Sequence, residues 1–338
     1  MQIKANLLES EKCEGEFNFM SSASQSSLLR NGRVLIGRDP NGNTSHDQGI
    51  DLEAHTMSVH NARLLSADTR PQLDKNGFEL QVEKLKDDSL DFKNHAQVVA
   101  DYYPQCASLV ARVTGAHAYA FDHNVRSASG KDQRQQIDGG QQVQGPAHLV
   151  HGDYTLRSAA DRLLQLSNPP SGNDTLMGTL AADESLISAD DVALVTADGG
   201  RYAIINVWRN IKPEPVATHP LALCDGQTVA PEDLVVFEIH YPDRIGENYF
   251  AKYSATQQMY YYPKMTRDEA LLIKQWDSAG TLARSEGQMG DADDEQAPCT
   301  FSFHSAFVDP QTPPDAPDRW SIEVRCLVIY DQVVRGCR

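Results

Sequence analysis

The tripeptide His151-Gly152-Asp153 sets an imidazole and a carboxylate two residues apart. On a β-strand, residues i and i+2 point to the same face. Both side chains can then grip one metal ion, and Gly152 leaves room for close approach. Such a pair needs a second imidazole to complete a two-histidine, one-carboxylate facial set, which leaves three positions on Fe(II) open for substrate and O2. His-x-Asp alone is a weak signal, and a surface turn accounts for it as well. His304, in the apolar run FSFHSAFVDP, is the best distal partner, and Arg319-Trp320-Ser321 follows fifteen residues later. Arg grips carboxylates bidentately and Ser adds a hydroxyl donor, so Arg-x-Ser fits an anchor for a dicarboxylate cosubstrate. By alternation Arg319, Ser321, Glu323 and Arg325 share a face. Arg325 is therefore a second candidate anchor, unless it pairs with Glu323.

The other histidines fit less well. Asp122 and His123 are adjacent and would face opposite ways on a strand. His148 lies three before His151, off-face, although it could approach from the strand end. His117, His219 and His240 suit core or surface positions. His46, His55, His60 and His95 have no partner pattern.

These residues must be carried by a core, and the composition provides one. The chain has 338 residues, 40% hydrophobic, with 30 Lys+Arg against 47 Asp+Glu, a net charge of −17. That sign, with no Lys/Arg cluster, argues against nucleic acid and an anionic membrane surface as partners. No apolar run reaches the roughly 20 residues of a membrane span, and the acidic N-terminus is unlike a secretory signal. A cytoplasmic location is expected. Six cysteines (Cys13, Cys106, Cys224, Cys299, Cys326, Cys337) are scattered without CxxC, so reduced and largely buried thiols are expected.

Residues 1–30 read as an irregular polar arm, 33–38 as a strand and 40–60 as turn-rich. A helix is expected over 94–115, complicated by Pro104 and ended by Gly115. Residues 127–145 read as a mobile loop. Strands are expected at 147–154, 201–211, 233–241, 250–262 and 320–330, and a short helix at 156–166. Thr266-x-x-Glu269 suggests one helical turn, 291–295 an acidic solvated connector, and 310–317, with four prolines, an extended loop. The whole reads as an N-terminal arm and extension (1–90) packed on a core (91–338), in one compact domain. The fold class is mainly β with flanking helices (α+β), a sandwich or barrel.

Long stretches carry a family resemblance: YYPQCASLVARVTGAHAYAFDHNVR, VHGDYT, INVWRNI with PLALCD, MYYYPKMTRDEALLIKQWDS, FHSAFVDP and RWSIEVRCLVIY. In order from about residue 70 to 330, they resemble the fungal and bacterial family of gibberellin desaturase, the cephalosporin 7α-methoxylase component and related natural-product hydroxylase/desaturases. The resemblance implies a double-stranded β-helix (jelly roll, cupin-like) and an Fe(II)/2-oxoglutarate-dependent oxygenase that consumes O2 and releases succinate and CO2. It implies His151, Asp153 and His304 as iron ligands and Arg319 with Ser321 on the distal carboxylate of 2-oxoglutarate. It brings Asn206, Trp208 and Arg209 to the pocket, with Arg209 on either the cosubstrate or a substrate carboxylate. Tyr119, His123 and Arg126 match a further motif, and His123 and Arg126 are candidate substrate contacts. Asn210 stands where many members have proline.

The expected reaction is oxidation of an unactivated C–H of a small molecule by hydroxylation, desaturation or ring closure. Arg209, Arg126 and Arg157 would suit an amino acid or other carboxylic-acid metabolite. The other reading is a non-catalytic or co-catalytic partner subunit of a biosynthetic oxygenase complex; all three filled ligand positions favour catalysis. A zinc metallohydrolase has no use for the Arg-x-Ser. A homodimer is expected on general frequency.

Overall fold

The computed structural model describes residues 11–39, 44–172, 174–242 and 244–331. Among these the strands are β1 (Lys12–Met20), β2 (Leu35–Arg38), β3 (Thr44–Gln48), β4 (Leu52–Asn61), β5 (Phe78–Val82), β6 (His117–Arg126), β7 (His151–Gly152) and β8 (Tyr202–Asn210). There follow β9 (Leu221–Cys224), β10 (Leu234–His240), β11 (Ile245–Ala251), β12 (Met259–Tyr261), β13 (Glu269–Asp277), β14 (His304–Ala306) and β15 (Ser321–Ile329). Ten form one sheet in the order β1-β4-β12-β9-β14-β7-β11-β10-β2-β3, and five form a second, β5-β13-β8-β15-β6. The second is antiparallel throughout. The protein is mostly β with few helices.

The sheet centres are the most apolar runs. All nine residues of β8 are buried, and so are eight of nine in β15. A strand covered on both faces reads as a continuous run rather than an alternation. One core cluster takes side chains from both sheets, including Phe17, Val59, Tyr249 and Phe303 from one side and Ile205, Leu272, Val324 and Val328 from the other.

Several expectations are corrected. The arm contains β1, in which Cys13, Phe17 and Phe19 are buried while Lys12, Glu14 and Glu16 are exposed. This alternation is that of a half-buried strand, and neighbouring polar residues mask it. β1 pairs along its length with β4, from Lys12–His60 to Met20–Leu52, so the described part of the 40–60 region, from residue 44, is also largely strand. The 147–154 strand contracts to His151–Gly152. The 250–262 strand is two pieces, β11 and β12, separated by turns. Glu269 does accept from the Thr266 amide at 2.8 Å, but that turn leads into β13 without a helix. Asp291, expected in solvent, is buried and accepts from the Thr300 and Leu282 amides.

The 94–115 helix shows the cost of Pro104. A short helical piece at His95–Gln97 runs into a wide π-type turn at Val98–Tyr102, and a regular helix resumes at Tyr103–Thr114 with Pro104 in its first turn. Pro104 has no N–H to bond back into the preceding turn, and it is that turn which widens. Gly115, at φ +68°, closes the helix in the left-handed conformation that glycine adopts without strain. Five described cysteines are buried and free; Cys337 lies outside the described residues.

Lys274 on β13 is fully buried. Its Nζ donates to Asp277 at 2.8 Å and Asp74 at 2.7 Å, and Arg201 bridges the same two carboxylates. Burial works against the ammonium, yet Asp277 and Asp74 hold its pKa above the ordinary value. Removing one member of a buried ionic cluster leaves uncompensated charge. Lys274→Ala is therefore expected to lower unfolding free energy by about 3–5 kcal/mol in chemical denaturation; a loss no larger than that of an exposed pair would contradict this.

Candidate metal and cosubstrate site

His151 and His304 are directly opposed across the β7–β14 pairing, with ring centroids 4.4 Å apart. Neighbouring strands thus bring together two imidazoles separated by 153 residues. Asp153 follows His151 by two and joins the same cluster. One ligand atom from each of His151, Asp153 and His304 lies within 4.8 Å of the others. Among the described residues no other group of His, Cys, Asp or Glu forms such a set.

Hydrogen bonds fix which atoms face inward. His151 Nδ1 donates to the Leu149 carbonyl at 2.7 Å, so the Nε2 lone pair is free, and it lies 3.6 Å from Asp153 Oδ1. A carbonyl partner on the far nitrogen is the usual device for orienting a ligating imidazole. Asp153 Oδ2 is taken up by Asn206 Nδ2 at 3.0 Å and by Arg325 Nε and Nη2 at 3.2 and 3.0 Å. That leaves Oδ1 directed at the histidines. The Asp153 amide donates to Gln275 Oε1 at 3.1 Å.

Burial, then His304, press His151 down to about 4. Burial lowers His304 too, so both rings are neutral and ready to ligate. Burial alone would raise the Asp153 carboxyl, but Arg325, with His304, His151 and Asn206, holds it well below the usual range.

Beside the cluster is a pocket of about 280 Å³, lined by Arg126, Ala147, His151, Trp208, Leu221, His304, Ala306, Arg319 and Glu323. Arg319 is 3% exposed. One of its Nη donors meets the His219 carbonyl, its Nε has no partner, and its guanidinium lies 5.7 Å from the Trp208 ring centroid. No carboxylate among the described residues pairs with it. Burial, then Arg126, push its pKa down to about 9 against the pull of Asp318 and Glu323. A buried guanidinium in this condition is suited to an incoming anion. Arg126 donates to the Gly145 carbonyl at 3.1 Å and pairs with no acid among the described residues.

Strand register sorts the expected residues. Asn206 and Arg325 are directly paired, as are Trp208 and Glu323, and Asn210 and Ser321. Arg325 also pairs with Asp122, and Ser321 with Arg126. All eight therefore share one face, turned toward Asp153 and the pocket. Arg209 and His123, one residue out of phase, are on the other. Arg209 is held by the Tyr102 hydroxyl and the Glu83 and Arg267 carbonyls at 2.9, 2.7 and 2.6 Å. His123 bonds the Tyr103 hydroxyl at 2.8 Å. Neither reaches the pocket, so the expected pocket roles of Arg209 and His123 are corrected by alternation. Arg325 is also withdrawn as a cosubstrate anchor, because its guanidinium is saturated by Asp153, Asp122 and Glu323. His148 packs on His219, and Arg157 is engaged with Asp161.

Sequence reasoning missed Gln275 and Asp122. The signal for Asp122 was present, four residues before Arg126 and so on its face. That for Gln275 was not, because the bulge between Lys274 and Trp276 breaks the alternation of β13.

The fold is mostly β and carries a buried His-Asp-His cluster that could hold a metal ion, beside a pocket lined by two arginines. A family model described as "YDMC: Oxidoreductase/YMDC permease-like domain" matches residues 17–329. Among the described residues no helix is long and apolar enough to cross a membrane. The chain is 31% identical over 286 residues to the Fe(II)/2-oxoglutarate-dependent dioxygenase nvfI of Aspergillus novofumigatus, covering 84% of this chain and 81% of that protein. It is 30% identical over 253 residues to the hydroxylase/desaturase poxK of Penicillium oxalicum, covering 68% and 65%. The solved structure of the iron and alpha-ketoglutarate-dependent endoperoxidase NvfI superimposes with a TM-score of 0.68 at 27% identity, covering 95% of this chain and 99% of that one. The chain belongs to this oxidoreductase family and is an Fe(II)/2-oxoglutarate-dependent dioxygenase.

Arg209→Met strands a buried hydroxyl and two carbonyls. It is expected to cost about 1–3 kcal/mol of stability in chemical denaturation while leaving 2-oxoglutarate affinity, measured by calorimetry, unchanged. A selective loss of cosubstrate affinity in a stable protein would return Arg209 to the pocket.

Proposed function

We propose that His151 through Nε2, Asp153 through Oδ1, and His304 hold Fe(II), and that Arg319, with Ser321 two residues on, receives the distal carboxylate of 2-oxoglutarate. The observation that carries this is the three-residue cluster beside a buried guanidinium without an anion. The donor set suits iron: two neutral imidazoles and one carboxylate leave positions for a bidentate cosubstrate and O2. When bound, the iron with 2-oxoglutarate and O2 supplies the oxidation of a substrate C–H bond, with release of succinate and CO2.

The chain's own part is positioning. The Leu149 carbonyl fixes the His151 ring. Asn206 and Arg325 occupy one Asp153 oxygen and so present the other. Trp208 walls the pocket under the Arg319 guanidinium, and burial of the cluster limits water around it. Arg126 adds a second positive charge at the pocket, which supports an amino acid or other carboxylic-acid metabolite as substrate. Hydroxylation, desaturation and ring closure then differ only in where the reacting carbon is held. The two sheets, with the site between them, support a double-stranded β-helix of the jelly-roll, cupin-like type. Five buried, unpaired cysteines support a reducing, cytoplasmic setting.

His151→Ala, Asp153→Ala and His304→Ala are each expected to abolish iron-dependent conversion of 2-oxoglutarate to succinate while far-UV circular dichroism stays native. Substantial turnover in any of them would refute that ligand. Arg319→Ala is expected to raise the 2-oxoglutarate Kd by about tenfold or more with metal affinity retained. The opposite pattern would remove Arg319 as the anchor.

A further inference from the structure

Arg325 is the centre of a row that crosses three strands. Asp122 on β6 and Asn206 on β8 are its direct register partners, and both Arg325 and Asn206 converge on Asp153 Oδ2. The third direction of the guanidinium is taken by Asp122, whose Oδ2 accepts from Nη1 at 3.0 Å. Asp122 uses its other oxygen differently: Oδ1 accepts from the hydroxyl of Thr175. Thr175 lies in the connection between the helices Ser158–Leu166 and Ala189–Thr196. Its carbonyl meets His95 Nε2 at 3.1 Å. The 174–187 stretch is also seated by the buried Leu176 and Ile187, by the half-buried Leu180 and Leu186 against the core, and by the Arg162–Asp174 pair at 2.9 Å.

Four groups thus form an unbroken chain from a surface connection to the metal-facing carboxylate: Thr175, Asp122, Arg325, Asp153. A carboxylate with one oxygen on a metal and the other on a fixed donor depends on that donor for its orientation. Outer partners of this kind change metal affinity by about 10–100-fold when removed. Coupling through such a chain is reciprocal. If the Thr175 bond steadies Asp122 and Arg325, metal on Asp153 must in turn steady Thr175.

We infer that Asp122 and Arg325 are positioning residues for Asp153, and that Thr175 joins them to the 174–187 stretch so that metal binding and the seating of this stretch are coupled. The inference rests on the metal reading of His151, Asp153 and His304.

The test uses Mn(II) alone as the probe, with affinity read by electron paramagnetic resonance and backbone hydrogen exchange read by mass spectrometry on peptides spanning 174–187. In the unmodified protein, Mn(II) is expected to slow exchange in that stretch. Asp122→Asn is expected to weaken Mn(II) by about tenfold and leave 2-oxoglutarate affinity of the metal-saturated protein unchanged. Thr175→Val should abolish the Mn(II)-dependent protection, and Thr175→Ser, which keeps the hydroxyl, should restore it. Unchanged Mn(II) affinity in Asp122→Asn, or exchange in 174–187 that ignores Mn(II), would overturn the coupling while the ligand assignment stands. Failure of the unmodified protein to bind Mn(II) would overturn both.

Discussion

A carboxylate buried beside two imidazoles must be held by a cation, or desolvation would drive it to take up a proton. Arg325 supplies that cation to Asp153, through two N–H groups on a single oxygen. Much follows from this one ion pair. It keeps Asp153 charged, leaves its second oxygen facing His151 and His304, and removes Arg325 from the ligand-binding surface. It also ties the two sheets together at the site, because Asp153 follows β7 of one sheet while Arg325 sits on β15 of the other.

The remaining electrostatics fall into place around that pair. Three carboxylates, Asp153, Asp122 and Glu323, converge on the single guanidinium of Arg325 and saturate it. Further along the pocket stands Arg319, desolvated and without an anion, and Arg126 close enough to depress its pKa. On the proposed reading, a saturated Arg325 at one end and a buried Arg319 without a carboxylate partner at the other would suit a small dianion placed between the His-Asp-His cluster and that guanidinium.

The sequence made the His-Asp-His cluster readable because it depends on short-range rules. The i, i+2 spacing of His151 and Asp153 and the apolar frame of His304 survive folding unchanged. Alternation also gave the shared face of Ser321, Glu323 and Arg325 correctly, while Arg319 precedes the strand. What it could not give was the partner of each side chain. Arg325 and Arg319 look equivalent on one strand, and only the placement of Asp153 and Asp122 from other elements decides that the first is consumed and the second is available. Arg209 and His123 were carried to the pocket by motif resemblance, although each is out of phase with the pocket residues of its own strand. Central strands such as β8 and β15 announced themselves as apolar runs. β1 and β4 did not, since exposed residues alternate with buried or half-buried ones along them and their polar surroundings imitate a loop. The helix at 94–115 was visible, with Pro104 marking the place where its regularity changes.

The most direct test of the central claim is an anaerobic titration of the purified protein with Fe(II) and then 2-oxoglutarate, followed in the visible region. If the His-Asp-His cluster and Arg319 together form the cofactor site, the weak charge-transfer absorption of an iron-bound 2-oxo acid appears at stoichiometric loading and is lost in His304→Ala. Iron binding without that absorption, or an absorption that persists in His304→Ala, would contradict the account.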